Sequence, residues 1–366
     1  MESNQIVLHN IKKLTGEEVD LVIKEGKIAD VTEPGSGEGA VINCTGMFVS
    51  SGWIDLHVHA FPEFNPYGDE IDEIGVKQGV TTIVDAGSTG ANRMGELSAN
   101  SRRAKTNVFA FLNISKIGLE RVDELSNLEW IDRQAIHDAV RLNEDIVIGL
   151  KARISQSVVK ENGVEPLLIA RELSDETSKP LMVHIGSGPP HIEEVIPLLQ
   201  TNDVITHYLN GKENNLFDKE GRPLSVLMDA ISRGVHLDVG HGTASFSFKV
   251  AEAAKANNVH FDTISTDMYK GNRLNGPVYS MANLLTKFLS IGYSLEEVIN
   301  GVTVNAANWL GKPELGRIRV GEPANLTLFS LKDQEVKLVD SLGDERISKT
   351  TINAEGVFVH GEYIKC

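Results

Sequence analysis

The sequence predicts an α/β fold, a (β/α)8 TIM barrel carrying a small β-sandwich domain built from both termini. Three observations predict it. Short β-branched or apolar runs alternate with amphipathic stretches of helical length between residues 51 and 315, which is the signature of βαβ units. Eight such runs fall within about 250 residues, the length one closed barrel takes. The flanks, residues 1–50 and 316–366, read instead as short strands parted by turn residues.

In the N-terminal flank, Gln5–Asn10, Glu18–Lys24 and Lys27–Val31 alternate apolar and polar side chains, and Thr15-Gly16 and Glu25-Gly26 separate them. A glycine-rich loop at residues 34–39 and an apolar run at Ala40–Asn43 follow. The C-terminal flank repeats the pattern at Arg317–Val320, Ala324–Phe329, Glu335–Val339, Ile347–Ile352 and Val357–Val359. A sandwich shared by the two ends costs little when the ends of the inserted domain lie close together.

The eight barrel strands are expected at Trp53–Ala60, Val80–Gly87, Val108–Ser115, Ile146–Arg153, Pro180–Gly186, Val204–Leu209, Val235–Gly240 and Asp262–Met268. Helices are expected at Ile131–Glu144, Glu165–Thr177, Pro189–Leu199, Pro223–Arg233 and Phe246–Ala256, the last capped by Thr243-Ala244-Ser245. The connection from Lys116 to Trp130 has no evident strand and reads as a short helix or a loop near the site. An open doubly wound sheet is the alternative fold. It supplies no reason for polar residues to recur at strand ends.

Composition bounds what the molecule binds. The formal charge is −16, from 35 Lys+Arg and 51 Asp+Glu, and such a surface repels nucleic acid and anionic membranes. With 41% apolar and 23% charged residues, disorder and fibrous structure are excluded. No run approaches about 18 uninterrupted apolar residues, so no membrane span is expected. Met1–Asn4 shows no basic leader region, and Cys44 and Cys366 make no disulfide framework; the expected compartment is the cytoplasm. The partner is a small molecule, and self-association into a homo-oligomer stays open.

Chemistry gathers at the strand ends. In Trp53-Ile-Asp-Leu-His57-Val-His59, residues two apart share a face, so Asp55, His57 and His59 point one way. Two imidazoles about 7 Å apart along a strand can converge on one cation, or stand as a satisfied core pair. Lys151 closes the run Ile146–Leu150, His184 ends Leu181–Val183, His207 ends Ile205-Thr206, and Asp267 ends Ile264–Thr266. The spacings of 94, 33, 23 and 60 residues from His57 onward read as three, one, one and two βα units of about 30 residues. All six groups then face the carboxyl end of the barrel, where active sites of this fold lie.

Lys151 follows five largely apolar residues. Either an acid pairs with it, or burial leaves it a neutral amine that can add carbon dioxide. Arg153 shares its strand face and can clamp a carboxylate, or form an ion pair at the rim. Tyr208, beside His207, either donates to a substrate oxygen or packs on the next helix. His241, in Asp238-Val-Gly-His-Gly242, and Asn283 are further substrate-contact candidates.

Asp55-x-His57-x-His59, Lys151, His184, His207 and Asp267, with Gly321-Glu-Pro-Ala-Asn-Leu326 and Thr303-Val-Asn-Ala-Ala307, resemble the metal-dependent amidohydrolase superfamily in its binuclear, carboxylated-lysine form. Gly149–Arg153, Ile205–Tyr208 and Asp238–Gly242 are most similar to a deacetylase subgroup whose members are often labelled dihydroorotase or adenine deaminase. The resemblance implies two zinc ions per subunit. His57, His59 and Asp267 would hold one, His184 and His207 the other, and Lys151, carboxylated by CO2, would lie between them. It further implies Asp267 as general base and then general acid, and a small acetylated carboxylic acid, as N-acyl amide or O-acyl ester, as substrate. Phe61 stands where dihydroorotases carry a carboxylate-gripping arginine, which argues against that activity. A cyclic amidohydrolase or deaminase is the alternative chemistry, and a silent barrel used for binding is the alternative class.

Overall fold

Residues 5–366 are described by the computed structural model. Met1–Asn4, read above for a leader, lie outside the described residues.

The two ends of the chain do meet. Strands β1 (Gln5–Lys12), β2 (Glu18–Lys24), β3 (Lys27–Thr32), β4 (Ala40–Asn43) and β5 (Phe48–Ser51) join the C-terminal strands in one mixed sheet. The link is antiparallel pairing of Phe48–Ser51 with Phe329–Leu326, which zips the N-terminal flank to the chain that returns after the barrel. Leu8, Ile11, Leu21, Ile23, Ile28, Val49, Leu326, Leu328 and Phe358 fill the core of this unit. The expected strand at Arg317–Val320 does not form. Those residues are an irregular, mostly exposed segment following a 3-10 helix at Pro313–Gly316, with Ile318 packed against the core of the terminal sheet.

The barrel strands follow in chain order: β6 (Trp53–Val58), β7 (Val80–Ala86), β8 (Asn107–Asn113), β9 (Val147–Ile154), β10 (Leu181–Ile185), β11 (Val204–Thr206) and β12 (His236–Asp238). Each pairs in parallel with the next. β6 and β7 are buried at every position, as expected of strands covered on both faces.

The eighth position is not a regular strand. Residues 262–268 make two isolated parallel bridges, Asp238 with Thr263 and Val58 with Met268. Backbone amides of Val239, His241 and Gly242 donate to Thr263, Ser265 and Thr266, while Asp267 donates to His57 O at 2.7 Å and His59 to Met268 O at 2.8 Å. The segment thus closes the ring between β12 and β6. Side chains substitute for part of the ladder: the buried Asp55 carboxylate accepts Thr266 N–H at 3.0 Å and the Thr266 hydroxyl at 2.5 Å. That use takes Asp55 out of the group facing the barrel mouth.

After the barrel, β13 (Leu326–Val339) and β14 (Glu345–Val359) form one long bulged hairpin, with β15 (Glu362–Lys365) on its edge. Four separate expected strands are therefore merged into two. The bulges bend the hairpin, and its tip leaves the terminal sheet to pack on the barrel, where Asp340 caps Phe248 N–H and Ile352 N–H donates to Thr286.

Among the helices, Glu165–Thr177 has the expected bounds. The helix Phe248–Ala256 is capped by Ser247, whose hydroxyl accepts Val250 N–H, rather than by the Thr243–Ser245 segment. That segment instead lines the cavity described next. Among the described residues no helix is long and apolar enough to cross a membrane.

Candidate active site

The carboxyl ends of the barrel strands enclose a cavity of about 170 Å³, bordered by His57, His59, Lys151, Arg153, His184 and Asp267. His57 is carried by β6, with His59 just beyond its end; Lys151 and Arg153 lie on β9 and His184 on β10. His207 follows β11, and Asp267 lies in the eighth segment. His207 and Asp267 both have left-handed backbones, φ 69° and 51°, which swing their side chains inward where the strands end.

The imidazole tautomers follow from their partners. Thr206 Oγ donates to Asp238 at 2.8 Å, so it can only accept from His57 Nδ1, also at 2.8 Å, and His57 Nε2 keeps its lone pair. His207 Nδ1 lies 2.5 Å from Gly240 O, a group that only accepts, so His207 Nε2 is likewise free. His59 Nδ1 rests on Ser88 Oγ at 2.9 Å, turning Nε2 to within 3.1 Å of Asp267 Oδ1. His184 Nδ1 sits 2.8 Å from His207 Nε2. Burial pushes His57 and His184 well below the ordinary imidazole range and His207 down to about 3, so all three are neutral and ready to ligate.

The acid and the amine complete the set. Asp267 Oδ1 lies 3.4 Å from His57 Nε2. Burial pushes this carboxyl up, but the hydrogen bond from His59 and the neighbouring imidazoles and Lys151 outweigh it and hold it below the usual range. Lys151 is fully buried, and its Nζ faces His57 Nε2 at 3.3 Å and Met182 Sδ at 3.2 Å, with no carboxylate in hydrogen-bond reach. Desolvation, only partly opposed by Asp267, brings it down to about 7. The ion pair weighed for Lys151 is thus absent among the described residues.

Donor atoms of His57, His207 and Asp267 all lie within 4.8 Å of one another. Neutral imidazoles oriented by a second hydrogen bond, together with one carboxylate, are the chemistry that binds a divalent transition metal. The residues present fit such an ion.

Glycines make the crowding feasible. Gly240 and Gly242 have φ 51° and 54°, and a Cβ would overlap Thr206 Oγ1 in the first and Asp267 Oδ2 in the second. Gly87, φ 78°, lies against the Lys151 stem in the same way.

Of the expected substrate contacts, Arg153 lines the cavity, with Nη1 3.2 Å from Glu124 Oε2 and its guanidinium 5.5 Å from the Tyr67 ring centre. The ion-pair reading of Arg153 thus holds, and the same side chain also borders the cavity. Tyr208 is corrected: its ring is fully buried in the barrel's hydrophobic core and its hydroxyl has no hydrogen-bond partner among the described residues, because the chain after His207 turns the next side chain outward from the mouth. His241 is corrected as well. It stacks on Phe246 at 4.6 Å, donates to Gly242 O and accepts from Lys287 Nζ at 2.8 Å, all beneath the cavity wall. Asn283 lies in the first turn of the helix Met281–Ser290, beside the terminal Cys366 and away from the histidines.

Several groups were not anticipated. Tyr67, Tyr269, Thr243 and Lys212 border the cavity, and Glu124 backs Arg153. Lys212 had a readable signal, a lysine after Asn210-Gly211 in the loop leaving a barrel strand at its carboxyl end. Glu124 had none beyond lying in the irregular connection 116–130.

Residues 48–362 match the family model described as amidohydrolase family. The chain is 41% identical over 361 residues to a deacetylase of Enterococcus faecalis, covering 98% of each. It is similar to a crystal structure of an adenine deaminase, with 40% identity, TM-score 0.94 and 99% of each chain covered. It is also similar to a crystal structure of a dihydroorotase, with 33% identity, TM-score 0.90, and 99% of this chain and 98% of the other covered.

Proposed function

The chain belongs to the amidohydrolase family, and from that premise we propose that it is a deacylase of small carboxylic acids, removing an acetyl or related acyl group held as an N-acyl amide or O-acyl ester. The observation that carries this reading is a fully buried Lys151 with no counter-ion in contact among the described residues, set beside His57 and His207, whose donor atoms lie within 4.8 Å of the Asp267 carboxylate.

In our reading His57, His59, His184, His207 and Asp267 would hold two zinc ions, and mixed imidazole and carboxylate donors suit that metal. When bound, such a pair polarises the acyl carbonyl and lowers the pKa of water towards neutrality. Lys151, brought down to about 7 by burial, would as its free amine form a bond from Nζ to the carbon of carbon dioxide and release a proton, giving an anionic carbamate beside the histidines. Asp267 Oδ1 is occupied with His57 and His59. Its Oδ2, over Gly242, accepts the proton of the attacking water and returns it to the leaving nitrogen or oxygen. Arg153, held by Glu124 and Tyr67, faces the substrate's charged or polarised oxygen. The acidic surface and the absence of a membrane-crossing helix among the described residues support a cytoplasmic enzyme acting on small molecules.

Deamination of a purine, or opening of a cyclic amide, is the second reading, favoured by the likeness to the adenine deaminase and dihydroorotase structures. Against the latter, Phe61 is fully buried on Phe64 at 4.8 Å between ring centres, so no cation stands two residues after His59. Assaying adenine, dihydroorotate, N-acetyl amino acids and O-acetyl hydroxy acids side by side tests the choice. Turnover of the acylated acids is expected; turnover of adenine alone overturns it.

A further inference from the structure

One cation in the cavity has no task in the mechanism above. Lys212 borders the same space as Lys151, His184 and Asp267. Its backbone is pinned on both sides: its amide donates to Asn210 Oδ1 at 3.1 Å and its carbonyl accepts from Asn215 Nδ2 at 2.5 Å. The side chain is thereby directed over Gly186, at the end of β10, where a Cβ would stand 3.2 Å from Lys212 Nζ. The residue is half-buried, yet among the described residues its ammonium has no hydrogen bond and no ion pair.

Its neighbour differs. Arg153 also faces the cavity, but the buried Glu124 carboxylate lies 3.2 and 3.4 Å from its Nη1 and matches its charge. Arg153 and Lys212 repel one another; Arg153 has a carboxylate in hydrogen-bond contact, whereas Lys212 feels only the attraction of Asp267 from beyond ion-pair distance. A cation drawn partly out of water without a contacting counter-charge is costly, and an arriving anion reduces that cost. The cavity is about 170 Å³, which favours a small anion.

We propose that Lys212 is the specificity residue of this site, pairing through Nζ with the carboxylate of a small monoanionic acid whose acyl group faces the histidines and Asp267. The assignment rests on the deacylase reading for what the acid carries, and on the unmatched ammonium for the charge it bears. Tyr67 and Tyr269, which meet edge to face at 5.1 Å across the mouth, bound the space for the acid's side chain and favour a compact one.

The metal-loaded enzyme, with Lys212→Met and Lys212→Arg, is assayed on N-acetyl amino acids and O-acetyl 2-hydroxy acids, each beside its methyl ester. In Lys212→Met, KM for the free acids is expected to rise roughly tenfold or more, as loss of a hydrogen bond to a charged group gives. kcat is expected to stay close to wild type, KM for the methyl esters to be unaffected, and Lys212→Arg to recover most of the loss. Equal effects on acid and ester, or no effect on either, overturn the proposal. Should the wild type hydrolyse none of these compounds, the deacylase reading fails separately. Calorimetric titration with the free 2-hydroxy acids then decides on Lys212, whose replacement by Met is expected to abolish binding; unchanged binding refutes its role.

Discussion

Gly242 lies flat against the carboxylate of Asp267, and a Cβ built on it would overlap Asp267 Oδ2. The same glycine has φ 54°, which disfavours any L side chain by about 1–2 kcal/mol. Gly242→Ala is therefore expected to push the carboxylate out of place while the barrel stays folded. A displacement near 1 Å costs roughly 100-fold in rate. Steady-state kinetics on the acylated acids, with a thermal melt as control, checks this; wild-type kcat in the variant contradicts the role given to Oδ2.

Lys287 is fully buried, donating to His241 Nε2 at 2.8 Å and to Pro277 O at 2.7 Å, and desolvation brings it down to about 7 from 10.5. Between pH 7 and 10.5 the unfolded chain holds this proton and the folded chain does not. Stability therefore rises with pH across that window, and below pH 7 the full penalty remains. Lys287→Met removes the group, so the stability of wild type minus that of the variant is expected to climb with pH by up to about 1.4 kcal/mol per unit. Urea unfolding of both proteins at pH 7 and 9.5 measures it. Parallel pH profiles contradict it.

At the opposite end of the barrel, Asp203 accepts Leu181 N–H at 2.8 Å, Gln200 N–H at 2.7 Å and Arg171 Nη1 at 2.5 Å. The amino-terminal face of such a barrel serves stability rather than chemistry. Asp203→Asn removes the buried one of the two carboxylates that pair with the largely covered Arg171, leaving the exposed Asp175, and is expected to cost about 2 kcal/mol. Folded enzyme at 25 °C should keep its kcat. A rate loss without a stability loss contradicts this division.

The barrel and its catalytic mouth were legible because both obey simple periods. Strands buried on two faces leave continuous apolar runs, and the side chains that gather around the cavity at their ends break those runs with a polar residue, as at Lys151, His184 and His207. The eighth element was legible as a position but not as a strand, because side chains such as Asp55 replace part of its backbone ladder. Tyr208 shows the limit of reasoning by adjacency: the left-handed turn at His207 sends consecutive side chains in different directions. His241 and Lys287 lie far apart in the chain and meet only through packing. The Glu124–Arg153 pair joins an irregular loop to a strand, a contact with no period to announce it. The long β13–β14 hairpin read as separate strands because bulges at Leu328/Phe329 and between Asp333 and Val336 interrupt its alternation.

Counting metal in the purified protein and in Lys151→Ala, with hydrolysis of an acylated acid recorded on the same samples, is the sharpest examination of the site. Two ions per wild-type chain, fewer in the variant and a collapse of its rate are the expected result. A wild-type chain that carries no metal, or a variant that keeps both ions and full rate, contradicts the assignment of Lys151 and the histidines around it.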